Sequence, residues 1–332
     1  MSASSSLEAH GLSDMQNAAE NTVFPESGHQ RPNDPLYGVD VSWTPKYRSE
    51  QMLLDVYTLN NSEKQRRKER DRQQRQHYLL KHTWKGNYGV PLRSPSLIVN
   101  WCCGTGIWAM ELAHKFPECH VVGIDYPSAT MSKLSSAHNN LEFQHMLPHE
   151  EHTGLEQFED NCVDYLMMRD VWLSNSPHHK WRQIMQQVMR ILKPGGWLEI
   201  YEQDLEIYSA GAHLQTLDRW MDTLLEHLGI EKQLVHLITP LLKETGYQNV
   251  QERAMELPLG EWTSTDVMKE TGYLFKDLIE RRFRILRPWL SELNNVSNEE
   301  ILNTITQGLD ECETSKTHMC WYYYAAQKPG NI

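Results

Sequence analysis

Cysteine is scarce and unpaired in this chain: there are six in 332 residues, with no Cys-x-x-Cys spacing. That is too few for a secreted disulfide scaffold and lacks the ligand spacing of a structural zinc site, so no metal is expected. Long apolar runs are missing as well. The longest, around Leu97–Val99 and Val163–Met168, are strand-sized, far below the roughly 18 to 20 residues of a membrane span. The opening Met1–Ser6 leads into no apolar signal-peptide core, and the stretch is too acidic for a typical transit peptide. The expected location is the cytoplasm, with the nucleus as the alternative. Net positive charge is absent too: 32 Lys and Arg against 44 Asp and Glu give −12, a body that repels phosphate backbones and disfavours a nucleic-acid partner.

The charge is unevenly spread. Between Glu63 and Lys81 eight basic residues face three acids, a local +5 that leaves −17 on the remainder. This segment, capped by Asn61 or Ser62, reads as a helix running to about Trp84 and strongly polar until Tyr78-Leu79-Leu80. Its first half is expected to be solvated, with internal Glu/Arg pairs, or bound to a protein partner through 63–81, and its end to dock. Before it, residues 1–35 read as a disordered tail and Arg48–Leu59 as a further helix.

From residue 91 the pattern alternates. Strands are expected at Ser96–Trp101, His120–Asp125, Leu141–His145, Val163–Met168 and Trp197–Tyr201. Helices are expected at Gly106–Lys115, Ala129–His138 and His178–Leu192, and a Lys193-Pro194-Gly195-Gly196 turn precedes the fifth strand. This rhythm implies right-handed crossovers and a doubly wound, mainly parallel sheet. Helices at Leu214–Leu228 and Glu231–Thr245, a strand within Tyr247–Pro258, a helical block over Thr265–Gln307 and an aromatic strand at Thr317–Ala326 complete the chain. The aromatics Trp321 to Tyr324 are expected in the sheet core.

Chemistry concentrates at Val99-Asn100-Trp101-Cys102-Cys103-Gly104-Thr105-Gly106. A strand ending in a glycine turn that opens a helix lets a ligand approach backbone N–H groups, since glycine has no side chain to hold it away. About twenty residues on, Asp125 ends the second strand, where a carboxylate can accept both hydroxyls of a ribose. Together they point to an adenosine-containing cofactor. The turn lacks the third glycine of a pyrophosphate-binding loop, which favours S-adenosylmethionine. Cys102 and Cys103 read as small packing residues, having no basic neighbour to activate them.

Leu97–Leu205 resembles the core of class I S-adenosylmethionine-dependent methyltransferases, with Gly104-Thr105-Gly106 as glycine motif, Gly123-Ile124-Asp125 as ribose motif and Leu192–Trp197 before strand five. More narrowly, the chain is similar over roughly 36–328 to the fungal LaeA-like methyltransferases of secondary metabolism. The residues that carry this are Gly104–Ala109, Glu69-Arg70-Asp71-Arg72 with Gln76-His77-Tyr78, Lys193–Glu199 and Trp321–Ala325. The resemblance implies an α/β, Rossmann-like class I methyltransferase fold: a seven-stranded, mainly parallel sheet of order 3-2-1-4-5-7-6 with a helical cap. Its divisions would be a disordered tail (1–35), an N-terminal helical lid (36–90), the cofactor-binding core (91–210), core helices, strand and cap (211–310), and a final strand and tail (311–332).

The same resemblance implies cofactor contacts from Asn100, Cys102, Cys103, Gly104, Gly106, Asp125, Tyr126, Met146, Leu147 and Arg169. Three positions depart from the family pattern: Asn100 stands in place of an acid, Cys102 in place of the first glycine, and Met146-Leu147 in place of an acid beside the adenine. Candidate general bases are His77, His145, Asp170 and Glu202, although methyl transfer often needs only in-line placement. The expected activity is methylation of O, N or C on a small molecule, a fungal secondary metabolite. The alternatives are a regulatory protein on a methyltransferase scaffold and, third, methylation of protein side chains.

Overall fold

The computed structural model describes residues 63–125, 138–146, 153–172 and 178–330. The expected tail, the 48–59 helix and nearly all of the 129–138 helix lie outside that set. The described residues form α1 (Glu63–Thr83), β1 (Leu97–Trp101), α2 (Ile107–Lys115), β2 (His120–Asp125), β3 (Leu141–His145), β4 (Val163–Arg169), α3 (His178–Ile191) and β5 (Leu192–Gln203). They continue as α4 (Ala212–Leu228), α5 (Leu234–Thr245), β6 (Gln248–Pro258), α6 (Asp266–Asn294), α7 (Asn298–Ser315) and β7 (His318–Gln327).

The sheet runs β3-β2-β1-β4-β5-β7-β6, parallel through β5, with β7 antiparallel to both neighbours. The inner strands are continuous apolar runs because both faces are covered. Ile98, Val99, Ile124, Tyr165, Leu166 and Met168 are all buried, and Trp321, Tyr323 and Tyr324 of β7 join the same core. Helix α2 packs on β1, β2 and β3, whereas α6 contacts α1, α4, α7 and β6. No described helix is long and apolar enough to cross a membrane.

One expectation is corrected and another is resolved in more detail. The Lys193–Gly196 turn lies within β5: Val163 pairs with Leu192 but Tyr165 with Trp197, so the strand absorbs the extra residues as an irregularity, with Gly195 at φ 79°. The block over 265–307 is two helices. Asn295 ends α6 in the left-handed conformation, and the Ser297 hydroxyl accepts from the Glu300 amide at 3.1 Å to start α7.

Candidate functional site

The carboxyl ends of β1, β2 and β4 meet around the glycine turn. After Trp101 the chain bends through three left-handed residues, Cys102 (φ 52°), Gly104 (φ 58°) and Gly106 (φ 73°), before entering α2. Such a φ is open to glycine and costs roughly 1–2 kcal/mol at Cys102. The Cys103 amide donates to the Ile124 carbonyl at 3.0 Å, tying the turn to β2. The Gly104 amide donates to Asp125 Oδ2 at 2.5 Å. A Cβ at position 104 would lie 2.6 Å from Gln73 Oε1, so the side chain crossing the turn is the flexible end of a glutamine from α1.

Helix α1 lies over this edge with a polar face. Glu69, Arg72, Gln76 and His77 are buried although the helix is among the most polar segments of the chain. Arg72 grips Glu69 with two hydrogen bonds, at 2.8 and 2.7 Å, and Gln76 Oε1 with a third at 2.6 Å. The expectation of a solvated first half therefore fails from residue 69 onward, where paired charges and amides dock residues 69–76, while the end docks as expected through buried Leu79 and Leu80. Arg67, Lys68 and Arg75 remain exposed.

Asp170 follows β4 at φ 54°. Its Oδ2 accepts from Gln76 Nε2 at 2.8 Å and Arg282 at 2.7 Å, with Arg72 3.9 Å away. Burial pushes this carboxyl up, but Arg282, Arg72 and the Gln76 amide outweigh it and hold it below the usual carboxylate range, so it is an anion at neutral pH. Its Oδ1 is buried without a hydrogen-bond partner, and so is Asn100 Oδ1, although Asn100 Nδ2 reaches the Met167 carbonyl at 3.4 Å. Arg282 also donates to Gln203 Oε1 at 2.5 Å and stands over the Trp172 ring.

A small cavity, about 60 Å³, is lined by Asn100, Cys102, Cys103, Gly104, Asp125, Arg169 and Asp170 from the expected set. Arg72, Gln73, Gln76, Thr105, Ile107 and Met167 complete the lining and were not singled out from sequence. Gly106 shapes the turn without lining the cavity. Met146 lies beneath, its amide donating to the Asp125 carbonyl at 2.9 Å. Tyr126 and Leu147 fall outside the described residues.

Three of the candidate bases lie off the cavity. His77 is fully buried; its Nδ1 accepts from Arg169 at 3.0 Å, which places the proton on Nε2, 3.3 Å from Glu111 Oε2. His145 is exposed at the end of β3. Glu202 is buried and accepts from the Val171 and Gln203 amides at 3.0 and 3.3 Å. Burial, with Asp170 nearby, pushes its carboxyl well up.

Glu111 joins α2 to α1. Burial alone would raise its carboxyl, but His77, Lys81 (2.7 Å) and Asn87 (2.7 Å) outweigh burial and bring it down to about 2. A depressed carboxylate stabilises the fold above its unfolded pKa and loses that contribution as pH falls. Stability measured against pH should therefore decline from about 4.5 toward about 2 in a step that Glu111→Gln removes.

The comparisons fit this geometry. Residues 98–196 match the Methyltransferase domain model. Residues 98–196 form a methyltransferase domain. The cofactor of this domain is S-adenosylmethionine. The chain is 24% identical over 242 residues to Methyltransferase cpsF of Aspergillus campestris, covering 69% of this chain and 83% of that protein. It is 26% identical to Secondary metabolism regulator LAE1 of Cochliobolus heterostrophus (51% of this chain, 55% of that one). It is 24% identical to Protein-methionine methyltransferase laeA of Emericella nidulans (48% and 42%). The chain thus spans about half the length of these LaeA-type relatives. Among solved structures, phosphoethanolamine N-methyltransferase 2 of Haemonchus contortus with S-adenosyl-L-methionine overlaps 77% of this chain and 52% of that one, at 18% identity and TM-score 0.46.

A Cβ at Gly104 would meet the Gln73 amide, Asp125 ends β2 beside the turn, and one oxygen each of Asn100 and Asp170 is buried without a donor. The cavity is well under the roughly 300–1,000 Å³ of a small-molecule site, and the Gln73 amide lies across the turn beside Gly104.

Proposed function

We propose that the chain transfers a methyl group from S-adenosylmethionine to an O, N or C atom of a small molecule of the secondary-metabolite kind. The observation that carries this reading is the meeting of α1 and α6 over the glycine turn. Gln76 from α1 and Arg282 from α6 bind the same Asp170 oxygen, and Asp71 pairs with Arg281 at 3.0 Å beside them. A roof of this kind favours an enclosed acceptor, with α1 serving as lid and 211–310 supplying the cap. The acidic body supports the same preference over nucleic acid.

When bound, the cofactor supplies a methyl group made electrophilic by its sulfonium. Asp125 would accept the ribose hydroxyls, and the backbone from Cys102 to Gly106 would lie along the cofactor. His77, closed between Arg169 and Glu111, suits anchoring α1 better than taking a proton. Excluding water and fixing the acceptor in line are then the main contributions of the protein.

LaeA-type relatives carry names of regulators and of a protein-methionine methyltransferase. The exposed Arg67, Lys68 and Tyr78 on the outer side of α1 would give a partner-binding reading its surface. Labelled cofactor should yield S-adenosylhomocysteine with at least one member of a panel of phenols, amines and carboxylic acids. Transfer to added protein alone would favour the regulatory reading. Failure of the folded protein to bind cofactor at millimolar concentration would remove the enzyme reading.

A further inference from the structure

We propose that Asp170 supplies the negative charge of the subsite for the cofactor's α-ammonium, with the neutral Asn100 as second acceptor. This assignment rests on cofactor binding as proposed above and names the residue that replaces the missing acid at position 100.

Two residues that line one cavity, Asp170 and Asn100, each carry a buried oxygen without a donor, Oδ1 in both. A bare buried acceptor costs about 1–3 kcal/mol, more when charged, so the pair marks the place of a donor with several hydrogens. An ammonium has three and no acceptor of its own. The strands bring the two residues together: Asn100 pairs with Met167 across β1 and β4, and Asp170 follows the end of β4. The charge on β1 has in effect moved one strand sideways.

Asp170 suits a fixed charge better than a base. Its other oxygen is held by the Arg282 guanidinium and the Gln76 amide, which stabilise the anion and make it reluctant to take a proton. The surroundings also need it. Arg72, Arg169 and Arg282 all approach this edge, and Asp170 is the carboxylate that faces Arg282 and Arg72 most directly, so without it a cationic group here would meet more uncompensated positive charge. Neutral Asn100 can accept a hydrogen bond but offers no charge to offset those guanidiniums.

The test is calorimetry with S-adenosylhomocysteine, which carries the ammonium, and 5′-methylthioadenosine, which keeps the adenosine and thioether but lacks the amino-acid end. Asp170→Asn should weaken S-adenosylhomocysteine about tenfold or more and leave 5′-methylthioadenosine within about twofold. Adding Asn100→Asp to Asp170→Asn should restore S-adenosylhomocysteine to within about threefold of wild type, since the charge returns to the same cavity. A merely structural Asp170 would give equal losses for both ligands and no rescue, and unchanged binding by Asp170→Asn would overturn the assignment equally. If Asp170→Asn does not fold, Asn100→Asp alone should tighten S-adenosylhomocysteine selectively, and no selective gain refutes the subsite. Wild-type protein that binds neither ligand would refute the cofactor reading itself, an outcome distinct from loss of the Asp170 role.

Discussion

Asp125→Ala is expected to weaken S-adenosylhomocysteine binding by about 100-fold or more, because a carboxylate accepting two hydroxyls contributes about 1.5–3 kcal/mol per charged hydrogen bond. The substitution also strips the Gly104 amide of its acceptor, so the turn loses an anchor together with the ligand. Asp125→Asn, which keeps an oxygen but not the charge, should lose about tenfold. Calorimetry measures both, and an alanine variant that binds within about threefold of wild type would show that the ribose is held elsewhere. The fold should survive, since Asp125 ends a strand whose pairing with β1 and β3 is made by backbone.

The second large effect is on stability. Arg282→Ala should cost about 3–5 kcal/mol of unfolding free energy, because removing one member of a buried ion pair leaves the other uncompensated. The Arg282 and Asp170 side chains are 12% and 10% exposed, and Gln203 Oε1 would lose its donor as well. The cost should shrink when Arg282→Ala is combined with Asp170→Asn, because the pair then disappears together. Urea unfolding of the two single variants and the double variant measures this. Additive losses would mean that the two side chains are not energetically coupled.

The sheet was legible because parallel strands buried on both faces write themselves as unbroken apolar runs, as at Leu97–Val99 and Tyr165–Met168. Asp125 was legible because its place at a strand end, some twenty residues past a glycine turn, has one common use. The underside of α1 was not. Glu69, Arg72 and Gln76 recur at helical spacing, but reading a helix face by hydrophobicity assigns such residues to solvent, and their burial depends on Asp170 and Arg282, 98 and 210 residues further on from Arg72. The break between α6 and α7 was written in Asn295 and Ser297, a left-handed stop followed by a hydroxyl cap, yet apolar periodicity continues on both sides and masked it. The bare oxygen of Asp170 is a property of the register between β1 and β4 and of the packing of two helices above them, none of which a linear pattern contains.

The polar docking of α1 has a thermodynamic consequence. A segment held by apolar burial leaves with a large rise in heat capacity, as water orders around what it exposes. Residues 69–76 meet the domain through carboxylates, guanidiniums and amides, so their detachment would uncover little apolar surface and leave a weak calorimetric trace, with Leu79 and Leu80 still seated as a pivot. Detachment of residues 69–76 would thus cost a free energy set mainly by ions and water, while the hydrophobic core below stays closed.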